Sequence, residues 1–153
     1  MANAEDPIED HECLLRTSFA PHHIVDGKVI VTAISGADLT QRGFSVDRVD
    51  LADEAAIRQR ALRQQARDPE KRNEAWLSSF NCGSLRSAHC IFDRKPAVLV
   101  ENEPIFEGAD RNVAHSGVYS AVTRSRSKIK ELKEVLLPYL NENLSSLEDY
   151  FAQ

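Results

Sequence analysis

The chain has 153 residues, of which 42% are hydrophobic and 28% charged, a composition typical of one globular domain. Its formal net charge of −5 at pH 7 argues against a surface that coats nucleic acid or anionic membranes, and leaves only a local basic patch for phosphate binding. No apolar run approaches the ~20 residues needed to cross a bilayer, and the N-terminus lacks a basic region followed by an apolar core. We therefore predict a cytoplasmic protein with no membrane partner.

The N-terminal third is predicted to begin with a leader and two strands. Residues 1–12 carry five acidic residues and a proline, which predicts a mobile acidic leader, and one domain then covers residues 13–153. The segment Cys13–Phe19 alternates as a strand does, with Arg16 pointing away from the face of Phe19. After the turn signal Asp-Gly, the β-branched run 28–34 is typical of a buried strand.

A further strand is predicted over residues 41–51. There the pattern sets Phe44, Val46 and Arg48 on one face and Ser45 and Asp47 on the other. Arg48 would extend from the end of this strand.

A helical insertion is predicted over residues 53–79. Asp53 is a good N-cap, and strong helix formers follow to about Arg67. Three arginines recur there at helical spacing; they indicate a solvated face, or alternatively a phosphate-facing stripe. They are Arg60, Arg63 and Arg67. Asp-Pro at residues 68–69 then indicates the start of a second short helix that carries Trp76.

The remaining chain predicts strands and then helices. Residues 87–92, 96–101 and 118–122 have the patterns of strands, and a long polar loop at 102–112 precedes the last of them. C-terminal helices are predicted over 124–151, with a kink or restart at Pro138 and a capping box at Ser145-x-x-Glu148. Together these elements predict an α+β single domain with a mainly antiparallel mixed sheet of five or six strands. The C-terminal helices would pack on one face.

The cysteines and histidines suggest no cofactor. The three cysteines include no CxxC pair, which favours reduced thiols, and no pair among the five histidines has zinc-site spacing. We predict no metal and no cofactor. Two alternatives stay open, since chain order does not show which side chains meet in space: a convergence of Cys82, Cys90, His89 and His115 on a metal, and a Cys-His nucleophilic pair.

A candidate site combines polar residues that are all predicted at strand ends. Arginine offers bidentate recognition of phosphate, and histidine can act as an acid or a base near neutral pH. This suits a nucleotide, a dinucleotide or an RNA phosphodiester. We therefore predict His115 and Arg48 as catalytic residues, and we predict four ligand-binding residues, Arg16, Ser45, Asn112 and Ser116. The alternative is a scaffold of loop caps and local ion pairs.

At these residues the chain resembles a group of small uncharacterised bacterial proteins. The ordered pattern consists of Leu-Leu-Arg16, Asp26-Gly-Lys28, Phe-Ser-Val-Asp-Arg48 and Asn-Val-Ala-His115, with Val113 where the group has proline. The resemblance spans residues 13–120. It implies that the SVDR and AHS stretches belong together in a bacterial conflict or defence setting, and it brings no established activity. The arginine-first, mixed-sheet arrangement is also similar to small ribosyl-transferring toxins, whose glutamate or tyrosine partners cannot be placed here.

Two functions follow as hypotheses. The first is a small module that binds a phosphate-bearing small molecule or RNA and catalyses phosphoryl or ribosyl transfer or hydrolysis. The second is a non-catalytic subunit that binds a protein partner, or a second copy of itself, through its apolar C-terminal helices.

Overall fold

The centre of the structure is an antiparallel sheet of six strands, formed within the residues that the computed structural model describes, 3–122 and 125–153. The described residues form eight strands, six in this sheet and two in a separate hairpin. In chain order they are β1 (Cys13–Pro21), β2 (Ile24–Val25), β3 (Lys28–Val29), β4 (Phe44–Arg48), β5 (Arg72–Asn81), β6 (Val98–Asn102), β7 (His115–Ser120) and β8 (Leu144–Ser146). The order across the sheet is β6-β7-β4-β1-β5-β8, and β2 and β3 form a separate hairpin. The predicted α+β single domain is confirmed.

Both faces of the sheet are covered. The helices are α1 (Glu54–Arg67), α2 (Cys82–Arg86), α3 (Arg126–Glu142) and α4 (Leu147–Phe151). Successive side chains of a strand point to opposite faces, so Leu14 joins the cluster that contains the leucines of α3, while Leu15 joins a second cluster with Ile57 of α1 and Leu147 of α4. In the described residues no helix is both long and apolar enough to cross a membrane.

Side-chain caps begin the helices at the places where the sequence signals them. The Asp53 carboxylate accepts a hydrogen bond from the backbone N–H of Ala56 and starts α1, as predicted. The last helix is capped one residue later than predicted, because Ser146 rather than Ser145 accepts from the N–H of Asp149. Helix α3 continues through Pro138, since a proline removes only one N–H donor there and Leu136 and Leu140 on either side are buried in the core.

The predicted second helix of the insertion is wrong, because residues 72–81 form the long strand β5. This strand pairs with β1 along its whole length and with β8 at Trp76 to Ser78. Leu77 and Phe80 are three residues apart, which resembles helical spacing, yet each enters a different core cluster on opposite faces of the sheet. A strand that is buried on both faces loses the alternation by which strands are recognised.

Two other predicted strands are also shorter or absent. The β-branched run 28–34 contributes only β3, and its remainder forms a 3₁₀ turn over Val31–Ala33. Residues 87–92 form no strand, and the strand predicted at 96–101 occupies Val98–Asn102. In both places apolar residues are buried, at Ile34 and Cys90, without joining the main sheet. Burial of apolar side chains therefore does not require a strand here.

The leader predicted to be mobile is packed from residue 3 onward. Ile8 is buried in the core, and the backbone N–H groups of Cys82 and Gly83 donate to carbonyl oxygens of Glu12 and Asp10. The prediction relied on the acidic composition of the segment, whereas Glu12 is 3% exposed and pairs with an arginine of the domain. A buried, paired carboxylate adds to the acidic count without favouring disorder.

Candidate functional site

The candidate site is a cleft that opens where two central strands separate. Strands β1 and β4 pair only at Leu14 with Arg48 and at Leu15 with Asp47. Beyond this point β1 continues beside β5, and β4 continues beside β7. The sheet therefore splits along its middle, and side chains from both strands line the gap.

Five parts of the chain surround this cleft, whose volume is about 390 Å³. Its floor comes from β1 and β4, and one wall from the residues of α1 that face the sheet. The segment 32–38 and the loop that leads into β7 complete the walls. This volume lies in the range of pockets that hold small-molecule ligands.

Arg16 lies in the floor of the cleft and bridges the gap between the strands. Its Nη1 donates to the carbonyl oxygen of Ser45 at 2.9 Å, and its guanidinium carbon lies 4.0 Å from the centre of the Phe44 ring. Its Nε is buried with no hydrogen-bond partner among the described residues. Burial lowers the pKa of Arg16 to about 10, although the negative charges of Asp38 and Asp47 raise it.

Asp47 joins the two sides of the cleft through hydrogen bonds. One carboxylate oxygen accepts from Arg60 of α1 at 2.8 Å, and the other accepts from the side-chain amide of Asn112 at 2.7 Å. Arg60 and Asp47 are 20% and 16% exposed, so this pair is partly shielded from water. Through these two hydrogen bonds, Asp47 fixes both α1 and the loop before β7 against the floor.

His115 begins β7 and faces the cleft beside Ser45. The distance from His115 Nε2 to Ser45 Oγ is 3.1 Å, and His115 Nδ1 lies 2.9 Å from the carbonyl oxygen of Glu103. Ser45 is exposed, while His115 is half-buried. Both ring nitrogens are therefore engaged, one with a hydroxyl in the cleft and one with the backbone.

A second histidine, His23, lines the cleft near two arginines. Its Nδ1 accepts a hydrogen bond from the backbone N–H of Phe19 at 3.2 Å. Burial, together with the charges of His22, Arg16 and Arg72, lowers the pKa of His23 to about 4. His23 is therefore neutral at pH 7 and adds no positive charge to the cleft.

Arg48, predicted as catalytic, does not lie in the cleft. It is 1% exposed and forms a two-pronged ion pair with Glu12, with Nε to Oε1 at 2.8 Å and Nη2 to Oε2 at 2.9 Å. Its Nη1 donates to the carbonyl oxygens of Asn3 and Asp6 and to the side chain of Asn102. Arg48 thus holds the N-terminal segment against the sheet.

Ser116 also points away from the cleft. It pairs with Val46 across β4 and β7, so it shares the face that packs in the core, opposite to its neighbour His115. Its side chain is fully buried, and its Oγ has no hydrogen-bond partner in the described ranges. The structure therefore brings together four of the six predicted residues, namely Arg16, Ser45, Asn112 and His115.

The structure adds cleft residues that the sequence did not single out for this site. Asp47 stands inside the SVDR segment, Arg60 was assigned to a solvated face, and His23 and Arg72 had no role in the candidate site. The helical spacing of Arg60 was the available signal for the alternative phosphate-facing stripe. For His23 and Arg72 the sequence carries no such signal, since the fold alone brings them to the same cleft.

No metal cluster is found in the part of the chain that the structure describes: no three His, Cys, Asp or Glu side chains form a group that could hold an ion. Cys13, Cys82 and Cys90 are free thiols. Burial raises the pKa of both Cys82 and Cys90, which disfavours the reactive thiolate at neutral pH.

Comparisons with known proteins give no relative for this arrangement. No protein-family model, no curated protein and no solved structure matches the chain. The geometry of the cleft is thus the main guide to function.

Proposed function

We propose that the protein binds a phosphate-bearing ligand in the cleft between β1 and β4. The observation that carries this proposal is Arg16, a guanidinium on the cleft floor with a buried Nε that has no partner in the described residues. No carboxylate of those residues lies within salt-bridge distance of it, whereas Asp38 and Asp47 pair with other arginines. Asp38 and Asp47 act on the Arg16 charge only from beyond salt-bridge distance, and a bound anion would add a direct counter-ion.

We infer a phosphate group as the anion from the two arginines that line the cleft. Arg72 also lines the cleft without a carboxylate partner among the described residues, and its Nη1 donates to the backbone carbonyl oxygen of Gln64, so a second guanidinium faces the same cleft. Planar guanidinium forks match the oxygens of a phosphate, and Asn112 and Ser45 add neutral polar groups for the rest of the ligand. The volume of about 390 Å³ suits a nucleotide, a dinucleotide or one nucleotide of an RNA strand.

The catalytic part of the proposal is phosphoryl or ribosyl transfer, or hydrolysis, with His115 moving a proton. His115 is in the same cleft as Arg16, and its Nε2 points to a hydroxyl. A positioned histidine typically contributes a factor of ~10² to 10⁴ to such a reaction. The setting that we propose, bacterial conflict or defence, comes from the resemblance of the SVDR and Asn-Val-Ala-His segments. The free thiols of the three cysteines are typical of a cytosolic protein.

The binding proposal is tested with adenosine 5′-monophosphate as a probe and adenosine as its phosphate-free counterpart. We expect calorimetry or NMR titration to show binding of the monophosphate at least tenfold tighter than binding of adenosine. Arg16→Met keeps the length of the side chain and removes its charge, so it should weaken the monophosphate at least tenfold and leave adenosine unchanged.

Arg63→Met is the matched control for this experiment. Arg63 is on the same helix as Arg60, but it donates to the carbonyl oxygen of Ala109 and does not line the cleft. Its replacement should change the affinity less than twofold. Equal affinities of the monophosphate for the wild type and Arg16→Met, or equal effects of the two variants, would contradict the proposal.

The catalytic part is tested with bis(4-nitrophenyl) phosphate, whose hydrolysis releases coloured 4-nitrophenolate. We expect His115→Ala to lower the rate at least 100-fold while binding of the monophosphate persists. Circular dichroism and the thermal midpoint check that the fold is unchanged. Wild-type turnover in this variant would refute the role of His115.

Binding of a protein partner through the C-terminal helices is the second hypothesis. Two of the apolar positions of α3 that motivated it, Leu132 and Leu136, are buried in the core of the chain itself. We therefore rank it below ligand binding in the cleft.

A further inference from the structure

The tautomer of the neutral His115 ring follows from its two hydrogen bonds. The carbonyl oxygen of Glu103 can only accept, so the hydrogen of the neutral ring is on Nδ1, 2.9 Å from that oxygen. Nε2 then carries the lone pair, and the hydroxyl of Ser45 donates to it across 3.1 Å. Three groups therefore stand in sequence: the hydroxyl of Ser45, the base His115 that can take its proton, and the carbonyl of Glu103 that orients the base.

The strands hold this arrangement in place. Ser45 and His115 are on paired strands, with Ser45 opposite Gly117 and Asp47 opposite His115. Glu103 is held twice, since its backbone N–H donates to the carbonyl oxygen of His115 and its carboxylate accepts from the hydroxyl of Tyr119 at 2.6 Å. The orienting carbonyl therefore cannot turn away from Nδ1 without breaking these contacts. Sites on strands are positioned more precisely than sites on flexible loops.

Ser45 is also exposed, and a positively charged side chain contacts its backbone. Ser45 is exposed to the cleft, and Arg16 donates to its carbonyl oxygen at 2.9 Å. The group that we expect to hold the phosphate thus contacts the residue that carries the hydroxyl. During phosphoryl transfer negative charge is spread over the phosphoryl oxygens, and an arginine beside them stabilises the transition state.

From this geometry we propose that Ser45 is a nucleophile, activated by His115, that accepts the phosphoryl group of a phosphate ester. This inference depends on the proposed function, because the same cleft has to bind the phosphate. It goes further in assigning a covalent phosphoserine intermediate and a substrate class, the phosphate esters. Under the alternative, Ser45 donates a hydrogen bond to the ligand and forms no covalent bond with it.

Two steps complete the reaction. In the first, Ser45 Oγ attacks phosphorus while its proton moves to His115 Nε2; an O–P bond forms, the bond to the leaving alcohol breaks, and His115 gives the proton to that alcohol. In the second, water attacks the phosphoserine, and His115 takes the proton of the water. The O–P bond to Ser45 breaks, Oγ recovers the proton, and the phosphate product leaves.

A fluorophosphonate reagent that carries an alkyl reporter tests the nucleophile without knowledge of the substrate. Attack by Ser45 Oγ forms an O–P bond and releases fluoride, which leaves a stable adduct that tandem mass spectrometry localises. We expect labelling of Ser45 in the wild type, loss of this label in Ser45→Ala, and labelling at least 100-fold slower in His115→Ala. The exposed position of Ser45 means that its replacement by alanine leaves the fold intact.

Ser87→Ala is the matched control, since Ser87 is an exposed serine outside the cleft whose hydroxyl donates to the carbonyl oxygen of Gly83. In this variant the labelling rate of Ser45 should stay within twofold of the wild type. An unlabelled Ser45, or equal labelling rates in the wild type and His115→Ala, would overturn the inference.

A second measurement separates failure of this inference from failure of the proposed function. With bis(4-nitrophenyl) phosphate, we expect a burst of 4-nitrophenolate close to one equivalent and a mass increase on the Ser45 peptide. If the wild type binds adenosine monophosphate but shows neither a burst nor an adduct on Ser45, the nucleophile is refuted and the phosphate site remains. If the monophosphate fails to bind the wild type, both proposals are refuted.

Discussion

Replacing Arg48 by methionine should destabilise the protein strongly and leave the cleft intact. Arg48 is 1% exposed, and its side chain makes five hydrogen bonds to described residues: two to the Glu12 carboxylate, one each to the carbonyl oxygens of Asn3 and Asp6, and one to the side chain of Asn102. Methionine has a similar length but no charge and no donors. The replacement therefore leaves the carboxylate of Glu12 buried without its partner.

The expected loss in the free energy of unfolding is about 4 kcal/mol, since removing one member of a buried ion pair typically costs ~3 to 5 kcal/mol. Such a loss is a large part of the ~5 to 15 kcal/mol that stabilises a typical domain. Burial raises the pKa of Glu12, but the hydrogen bond and charge of Arg48 and the N–H of Glu9 lower it below its ordinary value of 4.5. Because the folded pKa is the lower one, this pair stabilises the fold above pH 4.5 and loses that contribution as the pH falls further.

Urea denaturation at pH 7 measures the effect, with Arg67→Met as the control. Arg67 is exposed at the end of α1, so its replacement should change the free energy by less than about 0.5 kcal/mol. Adding Glu12→Gln to Arg48→Met removes the unpaired charge and should recover about half of the loss. A loss below about 1 kcal/mol would refute the structural role. If Arg48→Met binds adenosine monophosphate more weakly at unchanged stability, the result would support Arg48 as a residue of the ligand site.

Three further predictions concern the stability of the fold, each measured by urea denaturation. The pKa of His23 is about 4 in the folded protein against 6.5 ordinarily, so the unfolded chain binds the proton first and stability falls between pH 6.5 and pH 4. A tenfold change in proton affinity is ~1.4 kcal/mol, and with partial exposure we expect about 2 kcal/mol, absent in His23→Asn. A pH-independent wild type would contradict this. Gly43→Ala should cost about 2 kcal/mol, because Gly43 has a φ of +87° and a Cβ there would lie 2.8 Å from the hydroxyl of Tyr119; a neutral effect would refute the close contact. Leu132→Ala should cost about 3 kcal/mol and Leu62→Ala under about 0.5 kcal/mol, because these side chains are 0% and 65% exposed; equal losses would contradict the assigned core.

Local patterns in the sequence predicted the faces of the strands that line the cleft. Alternation placed Leu14 and Leu15 on opposite sides of β1, and it separated Ser45 from Arg48 on β4. This same alternation was evidence against a shared cleft for Ser45 and Arg48. Side-chain direction on a strand is a local property, so sequence alone determines it once the strand is located.

The role of Arg48 depended on a contact that no local pattern reveals. Its partner Glu12 comes 36 positions earlier, in a segment whose composition indicates disorder. A charged residue at a strand end has the same sequence signature whether it faces a ligand or a buried carboxylate. Only the packing of the N-terminal segment distinguishes these two cases.

By itself the sequence determined the α+β class, the cap and extent of α1, and the residue types suited to phosphate chemistry. Tertiary structure alone decided that 72–81 is a strand, because burial on both faces removes the alternation that marks one. It also decided the separation of β1 from β4, which creates the cleft and brings Arg16, Ser45 and His115 together. The physical reason is that pairing between distant strands, and the place where it ends, depends on contacts across the whole chain.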